Sequence, residues 1–352
     1  IELAAANTVG GILAVTGSNG KTTTAEWLGF VLSRAGRGAV VCGNTGYAFS
    51  RAVLEHPETE FFVVEVSSYQ LETVDRFRPR GAAILNITPD HLARHGSMEG
   101  YVAAKSRIFM NQHSDDVTVL NGDDANLTAL CGVSRGVEMY FSLERPVHPG
   151  AWVDSSGTMV VAMDGRETPV LDAGRIGLSG RHNLYNALAV VCLAYGAGLP
   201  PERMVPGLTE FVGVPHRIEK VAVRGGVTWI NDSKSTNPDS LRVALEAAEK
   251  PVILLAGGRA KETDYSVLAP LVAGKARLAI LFGEAASMLA DAWSGAGETV
   301  IVPDLPGAVR KASALAKEGD TVLLSPGCAS FDCYRNFEER GDHFRSLVGE
   351  LP

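Results

Sequence analysis

The sequence predicts a two-domain α/β protein with a mainly parallel sheet in each half. Three observations carry that expectation. Short Val/Ile/Leu runs without polar alternation recur between helix-length amphipathic segments, as strands buried on both faces do. A glycine-flanked turn, GSNGK at 17–21, joins the first apolar run directly to the first helix. The alternation breaks at 137–178 and again at 213–215, where Gly, Pro and Asp punctuate the chain.

In chain order, strands are expected at 11–15, 38–41, 61–66, 82–86 and 117–120, with helices over 21–35, 101–111 and 182–196. The stretch 137–178, containing WVDSSGTMVVAMDGRETPV, reads as a small antiparallel insert, because short apolar segments alternate with turn residues. A boundary near 213–215 separates residues 1–213 from 214–352. The second series places strands at 227–230, 252–256, 278–282, 299–302 and 321–324. Ligands of such sheets collect at strand C-terminal ends.

Composition narrows the function. The net charge of −8 argues against a nucleic-acid surface, which needs clustered lysine and arginine. No apolar run reaches membrane-spanning length, and no basic-then-apolar leader opens the chain. Five scattered cysteines (Cys42, Cys131, Cys192, Cys328 and Cys333) form no C-x-x-C pair, which suits reduced thiols in a cytoplasmic protein. The chain starts at Ile1 rather than methionine and is read as a fragment or a processed form.

Thr16-Gly17-Ser18-Asn19-Gly20-Lys21-Thr22-Thr23 stands between a strand and a helix, as a phosphate cradle requires. Glycines let backbone N–H groups turn toward phosphate oxygens, and the helix N-terminus adds its positive dipole end. Lys21 supplies a charge for the terminal phosphates, and the Thr22 hydroxyl suits Mg²⁺. The common G-x-x-x-x-G-K-[ST] pattern would place a glycine where Val15 stands. Glu65 ends the next strand as an Mg²⁺-binding acid would, although a strand-end glutamate alone is more often a solvated terminus. Asp90 and His91 follow another strand end. Lys105 sits among small apolar residues, where a lysine usually snorkels to the surface. His56, His95, His113, His148 and His343 read as structural.

The ordered set GSNGKTTT, CGNTG, VEVSSYQLE, NITPDHLARHG, YVAAKSRIF, SGRHNLYNAL, VPHRIE, WINDSKSTNPDS and SPGCASFDCYRNFEERGDHF resembles the Mur ligase family of cell-wall amino-acid ligases. The last two motifs are most similar to its D-glutamate-adding branch. The resemblance covers essentially the whole chain. It implies a central P-loop ATPase domain at 1–213 and a Rossmann-like, amino-acid-binding domain at 214–352. A short loop lacking the first glycine is normal in that family, which accounts for Val15.

Residue by residue, the resemblance implies that Gly17, Asn19, Gly20, Lys21, Thr22 and Thr23 hold ATP phosphates. Thr22 and Glu65 would hold one Mg²⁺, while His91 and a carbamylated Lys105 would hold a second. Asn44 and Ser67 fall on the muramoyl side. Asn183 matches an adenine contact, and Arg217, Asp232 and Lys234 match the second domain's contacts to ATP, with Asp232 on the ribose. Thr236, Lys261, Ser330 and Phe337 match the D-glutamate pocket. Catalysis is expected to rest on Lys21, His91, Lys105 and Lys234. The implied reaction is ATP-dependent amide formation between UDP-N-acetylmuramoyl-L-alanine and D-glutamate, through an acyl phosphate, in peptidoglycan precursor synthesis. The implied enzyme is a cytoplasmic monomer with no nucleic-acid or membrane partner.

Departures from the family pattern are Cys333, Tyr69 and the start of the chain. In the family about a hundred residues, a uridine-nucleotide-binding domain, precede the loop. Here Ile1-Glu2-Leu3 resembles only the linker that leaves it. Two other readings therefore stay open: another Mur or folylpolyglutamate-type ligase, and a non-catalytic nucleotide-binding module.

Overall fold

The computed structural model describes residues 1–44, 47–89, 92–249, 251–260 and 264–351. It divides into two compact units, Ile1–Gly213 and Val214–Pro352. Among the described residues no helix is long and apolar enough to cross a membrane.

In the first unit the described strands are β1 (Gly11–Thr16), β2 (Ala39–Gly43), β3 (Phe61–Glu65), β4 (Gly81–Ile84) and β5 (Val117–Asn121). They continue as β6 (Val137–Ser142), β7 (Gly150–Val153), β8 (Thr158–Met163) and β9 (Arg166–Asp172). All nine join one sheet in the order β2-β3-β1-β4-β5-β6-β7-β8-β9. Every residue of β1, β3, β4 and β5 is buried, which explains the unbroken apolar runs. Because β1 lies between β3 and β4, with Val15 opposite Glu65 and Thr16 opposite Ile84, three strand ends converge on the loop after β1.

The antiparallel expectation for 137–178 holds for β7, β8 and β9, but β6 and β7 pair in parallel with their predecessors. The connection 122–136 is long enough for a parallel return and carries the short helix Ala125–Thr128. Between β8 and β9 the turn is two residues, Asp164 and Gly165, both left-handed (φ 52° and 75°), the hairpin geometry that enforces antiparallel pairing. The helix expected over 101–111 starts earlier, at Met98, because the Ser97 hydroxyl accepts the Gly100 N–H at 3.1 Å. It ends at Ser106, and a 3₁₀ turn, Arg107–Phe109, completes it.

The second unit holds β10 (Glu219–Arg224), β11 (Val227–Asn231), β12 (Val252–Gly257), β13 (Ala276–Phe282), β14 (Glu298–Ile301) and β15 (Thr321–Gly327). Their order is β10-β11-β15-β12-β13-β14, parallel except for the edge strand β10. That strand escapes an apolar-run criterion because it is half-exposed and polar. The left-handed pair Gly225-Gly226 turns it back onto β11. β12 and β15 are wholly buried, and the helix Phe337–Gly349 covers this unit with Phe344 and Val348.

Candidate active site

The loop after β1 is built by two backbone features. Gly20 is left-handed (φ 84°) and caps the helix Lys21–Arg34, and a Cβ there would stand 2.6 Å from Asn186 Oδ1. Gly17 opens the turn with φ 152°, another conformation L-residues avoid. The β4–Thr88 segment anchors the loop from the side. Asn86 Oδ1 accepts the Asn19 N–H at 2.8 Å, its amide donates to Asn19 O at 3.1 Å, and the Thr88 N–H donates to Ser18 Oγ at 2.9 Å. Lys21 Nζ donates to the carbonyls of Gly17 and Ser18, each at 2.9 Å, so the cation lies over the loop it follows. Thr23 is half-buried on the next turn position.

Beside the loop, Glu65 is only 4% exposed. Its Oε2 accepts the Thr22 hydroxyl at 2.7 Å and its Oε1 accepts the Asn44 amide at 3.0 Å. A buried carboxylate and a hydroxyl in contact form a hard oxygen-donor pair, which fits Mg²⁺. Among the described residues no three His, Cys, Asp or Glu side chains gather as a metal cluster. A cation held at Glu65 would have the Thr22 hydroxyl as a neighbouring oxygen ligand.

Lys105, expected to snorkel if read alone, is instead 1% exposed. Its Nζ donates to Thr16 Oγ1 (3.3 Å) and Gly17 O (2.9 Å), and lies 4.6 Å from the Tyr101 ring centre. Tyr101 in turn meets Ser18 Oγ at 3.2 Å. Ser67 caps the helix Ser68–Leu71 in a reciprocal capping box with Gln70. Asn183 donates to Ser179 O at 2.8 Å and accepts from Asn186 at 3.2 Å, which links it to the loop through Gly20.

In the second unit, Asp232 follows β11 and is buried. Its Oδ2 accepts Ser325 Oγ at 2.7 Å and its Oδ1 accepts the Ile218 N–H at 3.1 Å. Burial pushes its carboxyl up to about 7, against the opposing pull of those hydrogen bonds and of Arg217 and Arg340. Lys234 Nζ lies 5.9 Å from the Phe337 ring centre, and Ser233 Oγ donates to Phe337 O at 2.8 Å. Arg340 is fully buried and donates to Ser233 Oγ (3.0 Å), Ser233 O (2.9 Å) and Cys328 O (3.2 Å). It thereby ties the helix Phe337–Gly349 to the ends of β11 and β15. Burial lowers its guanidinium to about 10, so it stays charged at neutral pH. Half-buried Thr236 and buried Ser330 follow those same two strand ends.

Gly17, Asn19, Gly20, Lys21, Thr22, Asn44, Glu65 and Lys105 thus form one connected group, and Asp232, Lys234, Phe337 and Arg340 another. Of the remaining sequence-predicted residues, His91 and Lys261 lie outside the described residues. Sequence reasoning missed Asn86, Tyr101, Asn186 and Arg340. Asn186 had a signal, its i,i+3 spacing from Asn183 on one helix face. A cavity of about 420 Å³ lies at the opposite, N-terminal end of β1 and β3. Three of its four charged lining residues are paired, Arg37 with Glu60 and Asp115 with the neighbouring Arg78, and it shares no residue with the loop.

A phosphate-type loop at the switch point of a parallel sheet, followed by a second α/β unit, defines a two-domain α/β protein of the P-loop class. Sequence comparison narrows this. Residues 15–194 match the Mur ligase middle domain, and residues 216–328 match the Mur ligase glutamate ligase domain. UDP-N-acetylmuramoylalanine--D-glutamate ligase of Pelotomaculum thermopropionicum is 43% identical over 353 aligned positions, covering 100% of this chain and 77% of that protein. The ligase of the same name from Acidobacterium capsulatum is 43% identical over 349, covering 99% and 76%. The chain belongs to the Mur ligase family. Among solved structures, MurF of Thermotoga maritima in complex with ADP superposes with a TM-score of 0.65 at 19% identity, covering 99% of this chain and 83% of that one. MurF from Acinetobacter baumannii gives 0.64 at 21%, covering 99% and 78%. These two similarities establish the shared fold.

Proposed function

We propose that this protein joins D-glutamate to UDP-N-acetylmuramoyl-L-alanine at the expense of ATP. The observation that carries the reading is the Lys21 loop beside the buried Thr22–Glu65 pair, in a chain 43% identical throughout to proteins named for that reaction.

In this reading the backbone N–H groups of the loop and the Lys21 ammonium bind the terminal phosphates of ATP, spreading their charge as the substrate carboxylate approaches the γ-phosphorus. Thr22 and Glu65 would hold Mg²⁺, which supplies charge neutralisation for in-line transfer. His91 and a carbamate on Lys105 would hold a second ion. Transfer gives an acyl phosphate and ADP; the neutral amine of D-glutamate then attacks the acyl carbon and phosphate leaves. Asn44 and Ser67 face the acid substrate. Asn183, Arg217, Asp232 and Lys234 hold the nucleotide, with Lys234 adding positive charge for the transfer. Thr236, Lys261, Ser330 and Phe337 take the amino acid, whose second carboxylate calls for a cation and hydroxyl donors. All five cysteines are unpaired, which supports a cytoplasmic setting.

The test is phosphate release from protein, ATP, UDP-N-acetylmuramoyl-L-alanine and D-glutamate. Release that requires D-glutamate over a panel of other amino acids supports the reading. ATP binding without turnover at saturating substrates refutes it.

A further inference from the structure

Two non-glycine residues of the second unit have left-handed backbones only two positions apart: His216 (φ 62°) and Ile218 (φ 44°). For a β-branched residue this is a steric outlier, because its Cβ crowds the adjoining carbonyl. Packing does not explain it, since Ile218 is 36% exposed. The conformation is imposed from outside. Glu219 Oε2 accepts the His216 N–H at 2.9 Å, and Asp232 Oδ1 accepts the Ile218 N–H at 3.1 Å.

Both carboxylates are themselves held. Glu219 accepts Arg345 Nε and Nη2, each at 2.9 Å, and the Asn231 amide at 3.2 Å. Asp232 accepts Ser325 Oγ through its other oxygen. The His216 ring is buried with Nδ1 3.1 Å from Asn231 Nδ2, and a Cβ on Gly341 would collide with it. The His216 carbonyl accepts the Lys234 N–H at 2.9 Å. The turn is therefore stapled to β10, β11 and the helix Phe337–Gly349, and Arg217 is the residue between its two outliers. Strain kept by several independent contacts marks a conformation that the site uses.

We propose that Glu219 is a positioning residue: together with Asp232 it locks this left-handed turn, so that Arg217 is preorganised for the nucleotide before the nucleotide binds. The inference rests on the reading of Arg217 and Asp232 as partners of ATP. An arginine whose backbone is already fixed loses less freedom on binding, so the effect falls on nucleotide affinity.

The experiment uses the full chain as wild type, Glu219→Ala, Arg217→Ala, their double variant, and Glu219→Ala with Ile218→Asn. Equilibrium binding of a non-hydrolysable ATP analogue is measured beside steady-state phosphate release. Glu219→Ala is expected to weaken analogue binding and raise the KM for ATP by about tenfold, leaving the KM for D-glutamate within about twofold. In the Arg217→Ala background, Glu219→Ala is expected to add nothing further, because it acts through that arginine. Ile218→Asn is expected to recover part of the loss, since asparagine tolerates the left-handed region. Additive losses, equal rises in both KM values, or no recovery overturn the proposal. Should Glu219→Ala fail to fold, Glu219→Gln, which keeps an acceptor for the His216 N–H but loses the charge, takes its place: a smaller loss confined to analogue binding and the KM for ATP supports the proposal, and no loss overturns it. A wild type that releases no phosphate with D-glutamate sinks the ligase reading, while the binding cycle still decides this one.

Discussion

The Thr22 hydroxyl donates to the Glu65 carboxylate at 2.7 Å, across 43 residues of chain. The contact exists because β1 and β3 are adjacent parallel strands with Val15 opposite Glu65, so the loop after one ends beside the last residue of the other. Glu65→Gln keeps the shape and removes the charge. It is expected to raise the Mg²⁺ concentration needed for phosphate release by about tenfold or more, as loss of a charged oxygen donor does. An unchanged Mg²⁺ titration would detach Glu65 from the metal.

Lys21 Nζ donates to the loop carbonyls of Gly17 and Ser18, which stay reachable by water when it is removed, so the substitution is expected to be mild for the fold. For Lys21→Ala we expect phosphate release to fall by at least about 100-fold, the scale of losing one charged stabiliser of a transferring phosphoryl group. The melting temperature should stay within a few degrees. Unimpaired turnover would overturn the loop assignment.

Removing the buried Lys105 ammonium leaves Thr16 Oγ1 and Gly17 O without a donor they now have, which costs about 1–3 kcal/mol. Lys105→Ala is expected to be inactive and to regain part of its activity with added small carboxylic acids, which substitute for a carbamate. The absence of rescue at any carboxylate concentration would count against carbamylation.

Gly20→Ala puts a Cβ 2.6 Å from Asn186 Oδ1 on a left-handed backbone. The expected cost is about 1–3 kcal/mol of stability, read by denaturant unfolding, together with weaker nucleotide binding. A variant that matches wild type in both would show that neither the φ nor the Asn186 contact shapes the loop.

Asp232 has its folded-state pKa raised from 3.8 to about 7 by burial. Between those values the folded state binds more protons than the unfolded one, so stability falls as pH rises from about 4 to about 7, at ~1.4 kcal/mol per pH unit. Above about 7 the buried charge costs its full amount. Asp232→Asn removes that charge, so its melting temperature should exceed wild type at pH 8 and approach it at pH 4. A difference independent of pH would contradict the raised value.

Much of the scaffold could be read from one dimension. The runs at β1, β3, β12 and β15 are apolar because both their faces are buried, and Gly17 and Gly20 are where the backbone must turn left-handed. The edge strand β10 could not be read, because an edge needs neither an apolar run nor alternation when half of it meets water. The parallel pairing of β6 with β5 was likewise hidden, since turn residues in 122–136 look the same whether the chain reverses or crosses over.

Among site residues, the chain order of Lys21, Thr22 and Glu65 already named a phosphate loop and an acid. What each polar side chain does once folded was a different matter. Lys105 reads as a surface lysine until its burial against Gly17, 88 residues away, is seen. Arg340 and Tyr101 carry no signal of their own in the sequence, and their roles appear only with their partners on distant strands and loops.

The sequence by itself determined the alternation of strands and helices, the glycine positions and the chemical types available, because backbone sterics and hydrophobic periodicity act over a few residues. Only the tertiary structure decided which polar groups are dehydrated and paired, and that His216 and Ile218 are held against their steric preference. Desolvation and hydrogen bonding depend on neighbours brought together by sheet order, and no local pattern encodes those neighbours.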